Sequence, residues 1–250
     1  MGALWHEIRG NPLLWLLAFV PAVLAGHQVA PESHTLLFVL SVLAIVPLAA
    51  LLSHATESVA ARTGDAIGGL LNATLGNLTE LVIAIAALGA GQHMLVKASI
   101  AGAIVTNSLF MLGGSFLLGG LRHHVQEYNR VNARLQAGLL FLATVALLVP
   151  SAVSEADSAA GAAFTEKVSL ALSALLIAAY GLSLLFSLKT HPEVFAAGDH
   201  GAAHGEDEAA WPVGLAVATL LGVTVLVALV SEIFVESVPV SYTHLTLPTN

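Results

Sequence analysis

The chain has 250 residues, of which 57% are hydrophobic and only 10% are charged, and its mean hydropathy is +0.86. Soluble domains carry about 25% charged residues, so this composition is typical of a membrane protein with several spans and excludes a large soluble domain. No basic patch suggests a nucleic-acid partner, and the absence of cysteine excludes disulfides and thiolate metal sites.

Seven apolar stretches are long enough to cross a bilayer as helices, which takes about 20 residues each. The sequence therefore predicts an all-α, polytopic helical membrane protein with about seven transmembrane helices. The first stretch has no clean small-x-small cleavage site and is interpreted as a retained span rather than a signal peptide. The predicted spans cover residues 12–30, 35–60, 66–90, 94–120, 135–152, 165–188 and 211–236.

The orientation of these spans is predicted from the Lys and Arg residues in the connections, which are enriched on the cytoplasmic side. If the seven spans alternate, Lys97 and Lys167 fall on one side and the other basic residues on the side of the N-terminus. These others are Arg9, Arg62, Arg122, Arg130, Arg134 and Lys189. We therefore expect a cytoplasmic N-terminus. The expected location of the protein is a bacterial inner membrane.

The second span ends with two polar residues, His54 and Glu57, in the segment Ser53-His54-Ala55-Thr56-Glu57. They are three positions apart and share a helical face. A helix end whose polar groups reach water would explain them. A carboxylate on a mobile helix beside an ion path would explain them equally well.

The third predicted span carries a carboxylate, Glu80, near its middle. A charge at that depth costs about 2.5–3.5 kcal/mol even on insertion scales, so it needs a structural or functional reason. Ca²⁺ requires about six to eight oxygen ligands, and the helix face of Glu80 offers several. That face also contains Gly69, Asn72, Ala73, Gly76, Asn77 and Thr79. A glycine such as Gly76 would let the helix open, so that backbone carbonyls join the carboxylate. The alternative is a buried carboxylate that only ties helices together.

The fourth span contains a polar step formed by Thr106, Asn107 and Ser108. These side chains are costly in hydrocarbon unless they have partners. They either form hydrogen bonds to a neighbouring helix or line the same site as Glu80.

The segment GGLLNATLGNLTELVIAIAAL, residues 68–88, resembles the first signature repeat of the Ca²⁺/H⁺ exchangers, a branch of the calcium/cation antiporter superfamily. The flanking residues 53–57 and 101–122 are also similar to this family. The resemblance implies a secondary active transporter that exchanges Ca²⁺ for H⁺, is not an enzyme and needs no cofactor. It implies that the metal is bound by Glu80, Asn77 and Gly76. It also implies that the ion pathway is lined by Asn72, Thr79, Asn107 and Ser108. Gating linked to protons would involve His54, Glu57 and Glu232.

Two other functions are left open by the residues alone. A Na⁺-driven exchanger of the same superfamily would use the same hydroxyl and carbonyl oxygens. A more remote alternative is an intramembrane metalloenzyme built on His54, Glu57, His123 and His124, although the chain has no H-E-x-x-H pair. The expected partners are Ca²⁺ or another divalent cation, protons and the lipid bilayer, and a homo-oligomer is left open.

The resemblance also predicts how the chain is organised. Residues 1–34 would be an extra helix, and residues 35–188 the first five-helix repeat of an inverted-repeat antiporter fold, with the signature motif at 68–81. Residues 189–210 would form an acidic, His-rich cytoplasmic loop. Residues 211–238, with Ser231-Glu232, resemble a degenerate second copy of the helix before the motif, inverted because an odd number of spans separates the copies.

Residues 239–250 match neither a span nor the family and are expected to be a non-native tail. Residues 1–238 would then contain one signature motif and only the first helix of the second repeat. We therefore expect this fragment to insert into a membrane but to be inactive as a transporter by itself.

The orientation is tested with reporter fusions. A reporter fused after Lys189 should score as cytoplasmic and one fused after Asp157 as external, because the basic connections are retained inside. The reverse pattern would mean that the first span is cleaved or that the number of spans is wrong.

Overall fold

The computed structural model describes residues 2–63, 65–154, 159–191 and 211–245. Six helices in these residues are long and apolar enough to cross a membrane, and Leu78–Gly89 is a shorter apolar helix. The six are Pro12–Val29, His34–Ala60, His93–Arg122, Arg130–Ala152, Phe164–Thr190 and Val213–Val238. The protein is therefore an all-α integral membrane protein, as predicted.

The chain divides into two compact units, residues 1–96 with 208–250, and residues 97–207. The helices of the first unit are α1 (Gly2–Gly10), a 3₁₀ helix (Pro12–Ala18), α2 (Phe19–Val29), α3 (His34–Ala60), α4 (Asp65–Leu75), α5 (Leu78–Gly89) and α10 (Val213–Leu245). The unit boundary lies within α6 (His93–Val105). Elements of the second unit are a π-helical segment (Thr106–Met111), α7 (Leu112–Arg122), α8 (Arg130–Ser154), α9 (Ala159–Leu185) and a π-helical segment (Phe186–Thr190).

The core of the first unit is the antiparallel pair α3–α10. The ring of Phe38, near the start of α3, stacks on Phe234 near the end of α10, with centroids 5.5 Å apart. The ring of His54, near the end of α3, lies 4.8 Å from Trp211, just before α10 begins. Two contacts in this order require antiparallel helices. Residues 211–238 therefore run antiparallel to α3, and their origin as an inverted second copy of that helix stays a prediction.

The N-terminal segment contains a short helix, α1, that the sequence did not predict. Asn11 separates it from the first span, since the Asn11 side chain accepts a hydrogen bond of 3.0 Å from the Leu13 N–H. Pro12 then starts the 3₁₀ helix, where its missing N–H is not needed. Residues 1–34 therefore contain a separate short helix, α1, before the span, and not a single helix.

Two helices, α4 and α5, occupy the predicted span over residues 66–90. The interruption falls at Gly76 and Asn77, which form a turn. The expectation that the helix opens at Gly76 is confirmed. Both halves are attached to the core pair, α4 to α3 and α5 mainly to α10.

The last helix is longer than expected. The apolar stretch of α10 ends at Val238, close to the predicted limit, but the helical backbone continues to Leu245. The end of the apolar pattern after residue 238 is therefore a change of composition, and the backbone remains helical. Of the predicted acidic loop, residues 192–210 lie outside the described part of the chain, as do residues 246–250 of the predicted tail.

A close approach of α4 to the end of α3 depends on Gly68. A Cβ atom at this position would lie 2.5 Å from the Ala60 carbonyl oxygen, which belongs to the backbone and cannot simply move aside. We expect Gly68→Ala to reduce the free energy of unfolding by about 1–3 kcal/mol, the usual cost of overpacking. The measurement is unfolding in mixed detergent micelles, followed by circular dichroism.

The matched control is Gly138→Ala, in the middle of α8, where an added Cβ atom meets nothing within 4 Å. Because alanine is about 1 kcal/mol more favourable than glycine inside a helix, this variant should be unchanged or more stable. Equal effects of the two substitutions would contradict the close α3–α4 contact.

Candidate functional site

The candidate site is built around the break between α4 and α5. The break lies halfway along the 25 residues from Asp65 to Gly89, so it falls near mid-membrane if these helices cross together. At its end α4 turns its last carbonyl groups towards the break, and α5 begins with its first N–H groups there. A broken helix of this kind places backbone oxygens beside side-chain ligands.

Two polar residues of α4 are already engaged near the break. The Asn72 carbonyl accepts a hydrogen bond of 3.0 Å from the Gly76 N–H, while the Asn72 side chain is exposed. The Thr74 hydroxyl donates to the Leu70 carbonyl at 2.7 Å, so it is satisfied within its own helix. A Cβ atom at Gly76 would lie 2.5 Å from the Asn72 carbonyl oxygen, so the break requires glycine there.

The predicted ligands lie at the start of α5. Asn77 occupies the position before the first helical residue, and Glu80 lies in the first turn. Both side chains are exposed, and no basic side chain of the described residues lies within ion-pair distance of Glu80. A carboxylate in this position is stabilised by the helix dipole. It is therefore available to bind a cation.

The single polar face predicted for residues 69–80 is interrupted. Thr79 is 7% exposed and faces the protein, whereas Asn77 and Glu80 face outwards. Thr79 and Glu80 both lie in α5, 100° apart around its axis, and α5 packs mainly against α10, so one of the two side chains is buried while the other stays exposed. The predicted role of Thr79 in the ion pathway consequently has less support than those of Asn77 and Glu80.

Asn107 and Ser108 belong to the second unit, where they lie in the π-helical segment Thr106–Met111. The Asn107 side chain is exposed. The Ser108 hydroxyl donates to the Ile104 carbonyl at 2.6 Å, so its hydrogen is used while its oxygen still has acceptor capacity. Short π-helical segments are frequent at functional sites. A contact of these residues with Glu80 stays a prediction.

His54 joins three elements of the first unit. Its Nε2 atom is 4.0 Å from a carboxylate oxygen of Glu7 on α1, and its ring packs against Trp211. The backbone N–H of Trp211 donates to the Ser58 hydroxyl at 3.4 Å. These contacts place α1, the end of α3 and the start of α10 together, so they lie on one side of the membrane. The sequence singled out His54 but not Glu7 or Trp211.

The two other candidate gating residues lie at opposite ends of the α3–α10 pair. Glu57 is one turn after His54, whereas Glu232 is close to Phe234, which stacks on Phe38. At 1.5 Å per residue, this places them roughly 25 Å apart along the pair. Both side chains are exposed. The structure therefore does not bring them together, and each lies near one membrane surface.

Buried hydroxyl groups within the first unit are a feature that the sequence analysis missed. Ser41, Thr56 and Ser231 are fully buried, and their hydroxyl oxygens have no hydrogen-bond partner among the described residues. An unpaired buried hydroxyl costs about 1–3 kcal/mol, so these groups favour nearby water or a rearranged partner. In the sequence, these three residues lie three or four positions from large apolar residues, and this spacing was the available signal that their side chains are buried.

No group of three or more His, Asp or Glu side chains in the described residues is arranged to hold a metal. His123 and His124 follow the end of α7 in the second unit and are exposed, while His54 and Glu57 lie in the first. The metalloenzyme alternative gains no support from this arrangement. Glu80 with the helix break is the strongest candidate for binding a cation.

Comparison with known proteins identifies the family. The family described as sodium/calcium exchanger protein matches residues 33–189. The chain belongs to the sodium/calcium exchanger family. It is 44% identical to a Ca²⁺/H⁺ antiporter of Aphanothece halophytica over 70% of this chain and 47% of that protein. It is 38% identical to a Ca²⁺/H⁺ antiporter of a Synechocystis strain over 96% of this chain and 68% of that protein.

A solved structure gives the same result for the fold of this sodium/calcium exchanger family member. The crystal structure of the selenium-substituted Ca²⁺/H⁺ antiporter protein YfkE matches with a TM-score of 0.70 and 30% identity, covering 93% of this chain and 63% of YfkE. The chain thus spans about half to two thirds of the length of the proteins it matches. The predicted fold, that of a helical membrane antiporter of this family, is confirmed.

The cysteine-free chain allows the hydration of the site to be tested with single cysteines. Asn77→Cys should react with a charged, water-soluble thiol reagent about ten times faster than Thr79→Cys, because only the first side chain is exposed and a thiolate forms readily only in contact with water. Ile85→Cys is the control, since Ile85 is 59% exposed but lies in the apolar part of α5. Labelling of Ile85→Cys as fast as Asn77→Cys would contradict a polar cavity at the break.

Proposed function

We propose that this protein takes part in secondary active exchange of Ca²⁺ for H⁺ across a membrane. The observation that carries the proposal is an exposed carboxylate, Glu80, beside a break near the middle of an interrupted apolar helix. Placing a charge there is costly, so a cation or a proton that neutralises it gains most of that cost back. The antiporters that the chain resembles are named for these two ions.

The cation site would be built from both sides of the break. Glu80 supplies charged oxygens, Asn77 an amide oxygen, and the backbone around Gly76 carbonyl oxygens. Asn72, Asn107 and Ser108 would line the path to this site. These groups are fewer than the six to eight oxygens that Ca²⁺ takes, so water and a second half-site from the remaining length of such antiporters would complete the shell.

Coupling would follow from competition for one charge. A Ca²⁺ ion bound at Glu80 leaves when protons occupy the carboxylates of the site, and protons leave when Ca²⁺ returns. A bare carboxylate would hinder movement through the hydrocarbon, because the charged form is poorly solvated there. The fluxes of the two ions are thereby linked in opposite directions.

Gating would use the two ends of the α3–α10 pair. Glu57 lies near one membrane surface and Glu232 near the other, so each carboxylate can attract cations to its own side. His54, in contact with Glu7 and Trp211, would act at the same end as Glu57. We assign this end to the cytoplasm from the distribution of Lys and Arg. We assign the membrane to the inner membrane of a bacterial cell because the chain is similar to bacterial antiporters.

The role of Glu80 is tested in a chimera that joins this chain to the C-terminal part of the Synechocystis antiporter. Glu80→Gln should reduce ⁴⁵Ca²⁺ uptake driven by a pH gradient to background, because glutamine keeps the shape but removes the charge that both ions need. The matched control is Glu127→Gln, which removes a carboxylate from the exposed segment between α7 and α8 and should leave uptake unchanged.

Uptake retained by Glu80→Gln at equal membrane levels would contradict the assignment. A second measurement replaces the pH gradient with a Na⁺ gradient. Uptake driven by Na⁺ but not by protons would favour the Na⁺-driven alternative. Zinc bound to the purified protein would favour the metalloenzyme alternative.

A further inference from the structure

Helix α1 lies outside the part of the chain needed to cross the bilayer. The 3₁₀ helix contributes seven residues at about 2.0 Å each and α2 eleven residues at about 1.5 Å each, so the span after α1 is about 30 Å long. This equals the thickness of the hydrocarbon core. Because Asn11 separates α1 from this span, α1 is placed at the surface of the membrane.

One face of α1 holds the helix to the protein. Leu4 and Ile8, one turn apart, pack against the core of the first unit. Glu7 lies beside His54. The acidic residue of the helix is therefore turned towards α3 and away from the opposite face.

The opposite face of α1 combines an exposed aromatic ring with a cation. Trp5 is 58% exposed, and the Arg9 guanidinium lies 5.0 Å from the centre of its ring. No carboxylate of the described residues lies within ion-pair distance of Arg9. Trp15, on the adjoining 3₁₀ helix, is 63% exposed. Tryptophan rings and basic side chains at this depth are characteristic of the membrane–water interface.

Trp5 and Arg9 form part of an open surface pocket of about 450 Å³, which is also lined by His6 and Gly10. We propose that this face of α1, the Trp5–Arg9 face, is a binding surface for the phosphate group of an anionic phospholipid in the adjacent leaflet. Arg9 supplies donors for the phosphate oxygens, and the Trp5 ring supports the guanidinium and contacts the lipid backbone. The proposal is independent of which ions the protein exchanges.

The experiment uses Trp5 as the probe. The chain contains three tryptophans, so Trp15→Phe with Trp211→Phe leaves Trp5 as the only one. The protein is reconstituted into phosphatidylcholine vesicles with a small fraction of brominated lipid, which quenches nearby indole fluorescence. Brominated phosphatidylglycerol should be enriched around Trp5 about fivefold over brominated phosphatidylcholine, the preference expected for one basic side chain near the surface.

Arg9→Gln should abolish this preference while Trp5 remains quenched by both lipids. Arg130→Gln, which removes an exposed arginine at the start of α8, is the matched control and should leave the preference intact. If the two phenylalanine substitutions impair folding, the Trp5 signal is obtained by subtracting the spectrum of a Trp5→Phe protein from that of the otherwise unchanged chain.

Equal quenching by the two brominated lipids would overturn the proposal, since it would show an interfacial helix without headgroup selectivity. Absence of quenching by either lipid would also overturn it, because α1 would then face protein. Loss of the preference on addition of soluble glycerol phosphate would assign the pocket to a free phosphate compound and overturn the lipid assignment.

Discussion

The interruption of a helix inside the membrane is the constraint on which the rest of this structure depends. Backbone groups released from a helix cannot remain unpaired in hydrocarbon, so a break is tolerated only where protein or a water-filled cavity surrounds it. Here α4 is attached to α3 and α5 to α10, while α3 and α10 pack against each other. The interrupted helix α4–α5 is thus fixed to a scaffold of two packed helices. This allows the break at Gly76 and Asn77 to present oxygen atoms without loss of the fold.

The α3–α10 pair combines a tightly packed interior with polar groups that lack fixed partners. Ala44, Leu48, Val227 and Val230 are fully buried in it, and so are the hydroxyls of Ser41 and Ser231. From the stacking of Phe38 on Phe234, the two serines lie at the same level of the antiparallel pair. Hydroxyl groups can exchange partners at little cost, unlike buried ion pairs, whose rupture is strongly destabilising. This composition suits helices that rearrange while remaining packed, which alternating access in the proposed exchange requires.

The first unit also shows how the ends of distant segments are brought to one membrane surface. A helix before the first span, the end of the second span and the start of the last one meet at His54. Because these three segments are separated by complete crossings of the membrane, their meeting is consistent with the alternation of spans. The surface helix α1 is held in this position by Leu4 and Ile8, and its other face remains exposed.

The sequence by itself determined the class of protein, the approximate limits of its spans and the opening of the helix at Gly76, beside Asn77 and Glu80, whose binding of a cation stays a prediction. These follow from local properties: apolar length, the cost of a charge in hydrocarbon and the freedom of glycine. Tertiary structure alone decided that Thr79 is buried while Glu80 is exposed, because the phase of α5 is set by packing on α10 and not by continuity with α4. It also decided that Glu57 and Glu232 lie at opposite ends of one helix pair and that His54 contacts Glu7 and Trp211. Such contacts join residues up to 157 positions apart (Trp211 and His54), and no local pattern encodes a distance of that kind.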